Sequence, residues 1–136
     1  MVLGHLLLHR IAAYKTYTNM PGYDLVATFP EANTSAKIQV KSRWRTGATG
    51  FPISNFDCDF VVAAFLNLGT VGEPKEEKET PKFYVLPVEI VRALPRGRVW
   101  SKVDIKNVPD LEQYSEKWQL ITDFLIQPSH ASAPIT

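Results

Sequence analysis

The stretch Tyr23-Asp24-Leu25-Val26-Ala27-Thr28-Phe29, followed after a short turn by Ala36-Lys37-Ile38-Gln39-Val40-Lys41, decides the architecture of this 136-residue chain. In the second run Ala36, Ile38, Val40 and Trp44 share one parity, while Lys37, Gln39, Lys41, Arg43 and Arg45 share the other, which is the alternation of a half-buried strand. In the first run Tyr23, Leu25, Ala27 and Phe29 alternate with Asp24, Val26 and Thr28. The segment between them, Pro30-Glu31-Ala32-Asn33-Thr34-Ser35, is turn-rich and closes an antiparallel hairpin. A turn centred near Ala32 and Asn33 sets Asp24 across from Lys41, with Gln39 one same-face step away and cross-strand Cβ atoms roughly 5 Å apart. A slip of two residues sets Asp24 across from Gln39 instead. Both registers keep the acid, the amide and the lysine on one face, whereas a slip of one turns Asp24 away.

Those three side chains suit the cutting of a phosphodiester. That reaction needs in-line attack by water, stabilisation of charge on the phosphoryl oxygens and help for the leaving alkoxide. A Mg²⁺ held by one or two protein oxygens, with water and phosphate in its other positions, supplies the Lewis acid. Asp24 is the candidate anionic ligand, the Gln39 side-chain oxygen a neutral second and the Val40 carbonyl a third. Lys41 then orients or helps deprotonate the water, or stabilises charge on the phosphoryl group. Lys37, Arg43 and Arg45 extend the basic face where backbone phosphates would lie. A plainer reading stands beside this one: Asp24 and Lys41 as a cross-strand salt bridge worth a few tenths of a kcal/mol, and Gln39 as an exposed strand amide.

An acid on one strand and an acid or glutamine, any residue, then lysine on the next resembles the core of the PD-(D/E)XK nuclease superfamily. Asp24 and Gln39-Val40-Lys41 match it in the glutamine variant. The order of elements is similar too: the loop Asn19-Met20-Pro21-Gly22 before the aspartate, an apolar strand from Phe60 to Leu66, the Phe83-Tyr84-Val85-Leu86-Pro87 strand leading into a helix, and a C-terminal helix around Trp118. The resemblance covers most of residues 2 to 125. It implies an α/β fold with a restriction-endonuclease-like core, a central mixed sheet of four or five strands flanked by helices. It also implies a Mg²⁺- or Mn²⁺-dependent endonuclease acting on DNA, with Asp24, Gln39 and Lys41 as catalytic residues. Many active members carry a metal-binding glutamate on the first helix. Here the comparable Gly4-His5 position has no acid, which leaves one carboxylate and predicts weak Mg²⁺ binding without substrate. A non-catalytic nucleic-acid- or protein-binding module on the same fold is the alternative.

Composition is compatible with this reading without demanding it. Hydrophobic residues make up 45% and charged residues 21%, and residues 1–126 are expected to form one domain followed by a loose tail over 127–136. A net charge of +1 is not the strongly basic footprint of many nucleic-acid modules, so a DNA surface has to be local. The single cysteine excludes an internal disulfide and suits a reducing, cytoplasmic setting. Cys58 reads as a buried small hydrophobe. Leu6-Leu7-Leu8 is too short for a membrane span or a signal segment. Cutting both strands of a duplex with a chain this small predicts a homodimer.

Several residues carry a bland and a sharp reading. His5 and His9 lie at i and i+4 but lack a third ligand at a readable spacing, so helix-surface histidines are expected. Asp57 and Asp59 read as solvated acids, and Trp44 and Trp100 as packing residues rather than base-stacking platforms. The remaining expectations are a helix over 2–10, a strand over 12–18 and a loop over 46–55. A charged turn over 75–79 should come before a strand over 82–86 and a helix that starts at Pro87 and runs through Ala93. A helix capped by Asp110 and another capped by Ser115, burying Trp118, Ile121, Phe124 and Leu125, complete the chain.

Overall fold

The alternation read over residues 36–43 becomes a ten-residue strand at the centre of the sheet. The computed structural model describes residues 1–16, 23–69, 80–97 and 102–127. Along the chain lie α1 (Val2–Leu8), β1 (Ala12–Lys15), β2 (Leu25–Phe29), β3 (Thr34–Arg43), β4 (Gly50–Pro52), β5 (Phe60–Phe65), β6 (Lys82–Pro87), α2 (Val88–Arg92), β7 (Lys102–Asp104) and α3 (Gln119–Ile126). The loop over 19–22, the end of the strand expected over 12–18, the acidic stretch over 73–79, Trp100 and the tail from 128 onward lie outside the described residues.

Five strands form a mixed sheet in the order β1-β2-β3-β5-β6. β3 pairs antiparallel with β2 and parallel with β5, from Ile38 opposite Phe60 to Arg43 opposite Phe65. β5 then pairs antiparallel with β6. All six residues of β5 are buried, as its unbroken apolar run predicts for a strand covered on both faces. One face packs Leu25, Ala27, Ala36, Ile38, Val62 and Val85 against Val2 and Leu6 of α1 and Ile121 and Leu125 of α3. The other packs Val61, Ala63, Tyr84 and Leu86 against Val88 and Val91 of α2 and Phe51 and Val103 of the β4–β7 pair. Full burial of each aliphatic side chain contributes about 1.5–3 kcal/mol, so a charge at Val62, which has no accessible surface, would cost the fold most of its margin.

Trp118 fills the first core beside α3, and its indole N–H donates to Glu116 Oε1 at 2.8 Å. His5 stacks on it with ring centroids 5.5 Å apart, and His9 lies 5.8 Å away. Both histidines are therefore packing partners of the tryptophan.

The hairpin register is the slipped one. Leu25 pairs with Ile38 and Phe29 with Thr34, which carries Asp24 toward Gln39 rather than Lys41. The cause is local: Pro30 opens a 3-10 turn over Pro30–Ala32 and Asn33 closes it in the left-handed region at φ 55°, so the turn is complete before Thr34. The Thr34 hydroxyl donates to Leu125 O at 2.6 Å and fastens this corner to α3.

Other expectations need correction. The loop expected over 46–55 contains β4, which pairs with β7 as a two-stranded sheet. Trp44 does not pack with its parity mates; β3 ends at Arg43 and the indole is 47% exposed. Asp110 sits in the left-handed region at φ 51° and makes no side-chain cap to the short 3-10 segment Leu111–Tyr114. Ser115 caps nothing, since it bridges to Tyr84, and α3 begins after Trp118.

Candidate active site

β3 is twice as long as β2, so its second half extends past the point where β2 ends. Ile38 and Val40 turn their backbone polar groups toward β2, because residues two apart in a strand bond on the same side. Asp24 stands just outside β2 and steps out of the ladder. Its N–H donates to Ile38 O at 2.8 Å, and its own carbonyl accepts from Thr16 N–H at 3.1 Å. Beyond that point the Val40 N–H has lost its strand partner, and Asp24 Oδ2 accepts it at 2.8 Å. Asp24 is exposed.

A cavity of about 390 Å³ opens here, between the start of α1 and the uncovered edge of β3, and Gly4, Lys15, Asp24 and Val40 are among its lining residues. The floor is apolar, with Val2 and Leu25. Gly4 of the first helix lines this cavity with Asp24, while His5 turns to Trp118 and Phe83. The sequence reading singled out the Gly4-His5 position but not Lys15. Nothing short-range marks Lys15, since only the closing of β1 against β2 brings it to this cavity.

Gln39 lies on the opposite parity from Val40, on the face shared with α2. Its side-chain Oε1 is buried and has no hydrogen-bond partner among the described residues. A buried carbonyl oxygen left unpaired costs about 1–3 kcal/mol. Lys41, one same-face step further, is half-buried and lies outside any ion pair among the described residues; Lys37 Nζ and Asp57 Oδ1, 4.0 Å apart, form the one pair there. The cross-strand salt bridge between Asp24 and Lys41 is therefore not formed.

The three basic residues expected to meet phosphates are placed differently from one another. Lys37 lies over the Tyr23 ring at 5.2 Å besides its pairing with Asp57. Arg43 Nη1 donates to Gly50 O at 2.9 Å, which ties β3 to β4. Arg45 is exposed beyond the end of β3. Asp59 is not a free acid either: its Oδ2 accepts from Lys37 N–H at 2.8 Å, closing the ladder just before β5 begins. Cys58 is buried; burial first, then the charges of Asp59 and Asp57, push its thiol up to about 11. Such a thiol stays protonated at neutral pH and is no nucleophile.

No group of three or more His, Cys, Asp or Glu residues converges among the described residues. Asp24 and Val40 line one cavity, and Gln39 is not among its lining residues; the Gln39 Oε1 is a buried oxygen without a hydrogen-bond partner among the described residues. The Asp24 carboxylate, the Gln39 amide oxygen and the Val40 carbonyl are each oxygen donors, the type that hard divalent cations take.

A mixed five-stranded sheet with helices on both faces makes this a restriction-endonuclease-like α/β fold. Among solved structures the chain is similar to the bacterial homing endonuclease I-Ssp6803I, with a TM-score of 0.55 and 24% sequence identity over 90% of this chain and 84% of that one. That likeness establishes the fold. No protein-family model matches the chain, and no curated protein matches it in sequence. Among the described residues no helix is long and apolar enough to cross a membrane.

Proposed function

We propose that the chain is a metal-dependent endonuclease that hydrolyses DNA phosphodiester bonds at the open edge of β3. The observation that supports this reading is the buried Oε1 of Gln39, without a partner among the described residues, on the residue between Ile38 and Val40, the two to which Asp24 is hydrogen-bonded. An oxygen kept in that state at a cost to stability is explained by a ligand that takes its lone pairs. The similarity to a bacterial homing endonuclease supports the same class of chemistry.

Asp24, Gln39 and the Val40 carbonyl would hold a Mg²⁺ or Mn²⁺. The cation would supply Lewis acidity toward the scissile phosphate. Asp24 is held in position by the Val40 N–H, so its carboxylate is aimed before substrate arrives. Lys41 projects from the next same-face position, where its donors can align the attacking water and meet charge on the phosphoryl oxygens. Water adds to phosphorus, the ester oxygen leaves, and the proton lost by the water is accepted by solvent or by the leaving oxygen.

The test is cleavage of plasmid, linear, branched and single-stranded DNA with Mg²⁺ or Mn²⁺, comparing wild type with Asp24→Asn and Lys41→Ala. The reading expects cutting that EDTA abolishes and that both substitutions lower by at least about 10²-fold. One observation favours a second reading: the site has a single carboxylate, with no converging acids among the described residues. A binding module that keeps the fold would hold DNA or a protein in EDTA and cut nothing at any metal concentration.

A further inference from the structure

Arg92, in the last turn of α2, and Arg96, four residues on, both rest against one ring. Their guanidinium carbons lie 5.6 Å and 4.5 Å from the Phe56 centroid. Both side chains are exposed, and the two charges are within roughly 10 Å of each other, about one Debye length at 0.1 M salt. Neither guanidinium has a carboxylate partner among the described residues. Arg96 Nη1 reaches Ile53 O at 3.4 Å, which positions the group without neutralising it. Glu89, the acid nearest in sequence, lines a separate cavity with Asp59 and Asp123.

Packing alone does not account for two like charges on one phenyl ring. Each cation gains about 0.5–1 kcal/mol from the ring face at an exposed site, and their mutual repulsion works against that gain. An anion lying across both would remove the conflict. The pair is also placed beside the candidate active site. Phe56 precedes Asp57, which faces Lys37 of β3. Cys58, close enough to Arg92 to feel its charge, lies against the Gln39 backbone. Arg96 further lines an open cavity of about 450 Å³ with Lys102, so the positive surface continues toward the β4–β7 pair.

We propose that Arg92 and Arg96, braced on Phe56, clamp the phosphates of a DNA backbone on the α2 side of the sheet, apart from the scissile phosphate. The identity of the anion rests on the nuclease reading above. A guanidinium suits the role because its planar fork binds a phosphate oxygen pair bidentately, and a stacked guanidinium loses less freedom when it does so. The clamp reads no bases; it sets the register of the duplex relative to β3.

The experiment measures binding of a mixed-sequence duplex of about 25 base pairs in EDTA, from 50 to 200 mM salt, for wild type, Arg92→Gln/Arg96→Gln and Arg92→Lys/Arg96→Lys, with thermal unfolding as the check on folding. The proposal expects the glutamine pair to weaken binding at least tenfold on any sequence and to flatten the logarithmic salt dependence by about two, one per lost contact. The lysine pair should keep the slope and lose only part of the affinity. A wild type that binds duplex, with a glutamine pair that binds equally tightly and with the same slope, overturns the clamp and leaves the nuclease reading standing. Equal loss in the glutamine and lysine pairs, with the slope unchanged, overturns it in favour of a purely structural role. A wild type that neither binds nor cuts DNA overturns both.

Discussion

The Asp24 carboxylate accepts the Val40 N–H at 2.8 Å, so the acid just before β2 continues the ladder that β2 itself leaves incomplete. The residue is thus a structural plug and a candidate ligand at once. The two roles separate by substitution. Asn keeps an oxygen that can accept the same N–H, while Ala leaves the donor to water. Asp24→Asn should unfold in urea within about 0.5 kcal/mol of wild type, and Asp24→Ala should lose about 1 kcal/mol, since the bond is exposed. Both should abolish metal-dependent cutting. An Asn variant that still cuts would remove Asp24 from the site.

Gln39 offers the converse case, a residue whose replacement should strengthen the fold. Its buried Oε1 has no partner among the described residues, and Met has nearly the same shape with no such oxygen. Gln39→Met should raise the free energy of unfolding by about 1 kcal/mol while lowering cleavage sharply, the exchange of stability for function seen where a site keeps an unsatisfied group. Denaturant unfolding decides the matter: a variant less stable by a similar amount would mean that the amide pairs within the native protein.

The parts of this architecture that a strand period can encode were legible in the sequence. Ala36, Ile38 and Val40 against Lys37, Gln39 and Lys41 left one way to bury β3, and the all-apolar run from Phe60 predicted a strand covered on both sides. The register was open between two answers, because it turns on whether Asn33 takes a left-handed conformation, and that depends on the 3-10 turn begun by Pro30. The pairing of β4 with β7 was not legible, since three-residue strands more than fifty positions apart carry too little pattern to announce each other. The polar parity of β3 was read as an exposed face, and here burial differed. α2 and the segment carrying Cys58 pack on the same side of the sheet, and the Gln39 oxygen is buried, a tertiary effect that alternation does not register.

Cys58 gives a pH dependence whose sign is fixed. Its native value of about 11 lies above the ordinary 9.0, so the folded chain keeps the thiol proton after the unfolded chain has lost it. The stabilising contribution is full below pH 9 and disappears as pH rises from 9 to 11. Wild type should therefore lose stability over that window more steeply than Cys58→Ala, even though the variant is less stable at neutral pH because of its smaller side chain. Tyr84, raised by burial and then by Glu112, contributes in the same direction in both proteins and drops out of the comparison. Parallel pH profiles for the two proteins would show that the thiol is not protected by the fold.

Gly4 is where the chain departs most from a two-carboxylate site, and it is also where the departure can be reversed. It lines the same cavity as Asp24 and Val40, and a Cβ built on it meets nothing within 4 Å. It falls in the first turn of α1, which contains no acid, so a glutamate there complements the helix dipole and replaces a residue costing roughly 0.8–1 kcal/mol of helix propensity. Gly4→Glu should consequently leave the protein as stable as wild type or more so. It should also bring a second carboxylate to the side of Asp24, turning a weak cation site into one that binds Mn²⁺ measurably without DNA. Calorimetric titration with Mn²⁺ reads this directly, and Gly4→Gln supplies the control of equal shape without the charge. Tighter binding in the glutamate variant alone would place a cation at the β3 edge. Equal binding in the wild type and both variants would mean that the cavity beside Asp24 is not where metal is held, and Gln39 and Val40 would then have to be given another role.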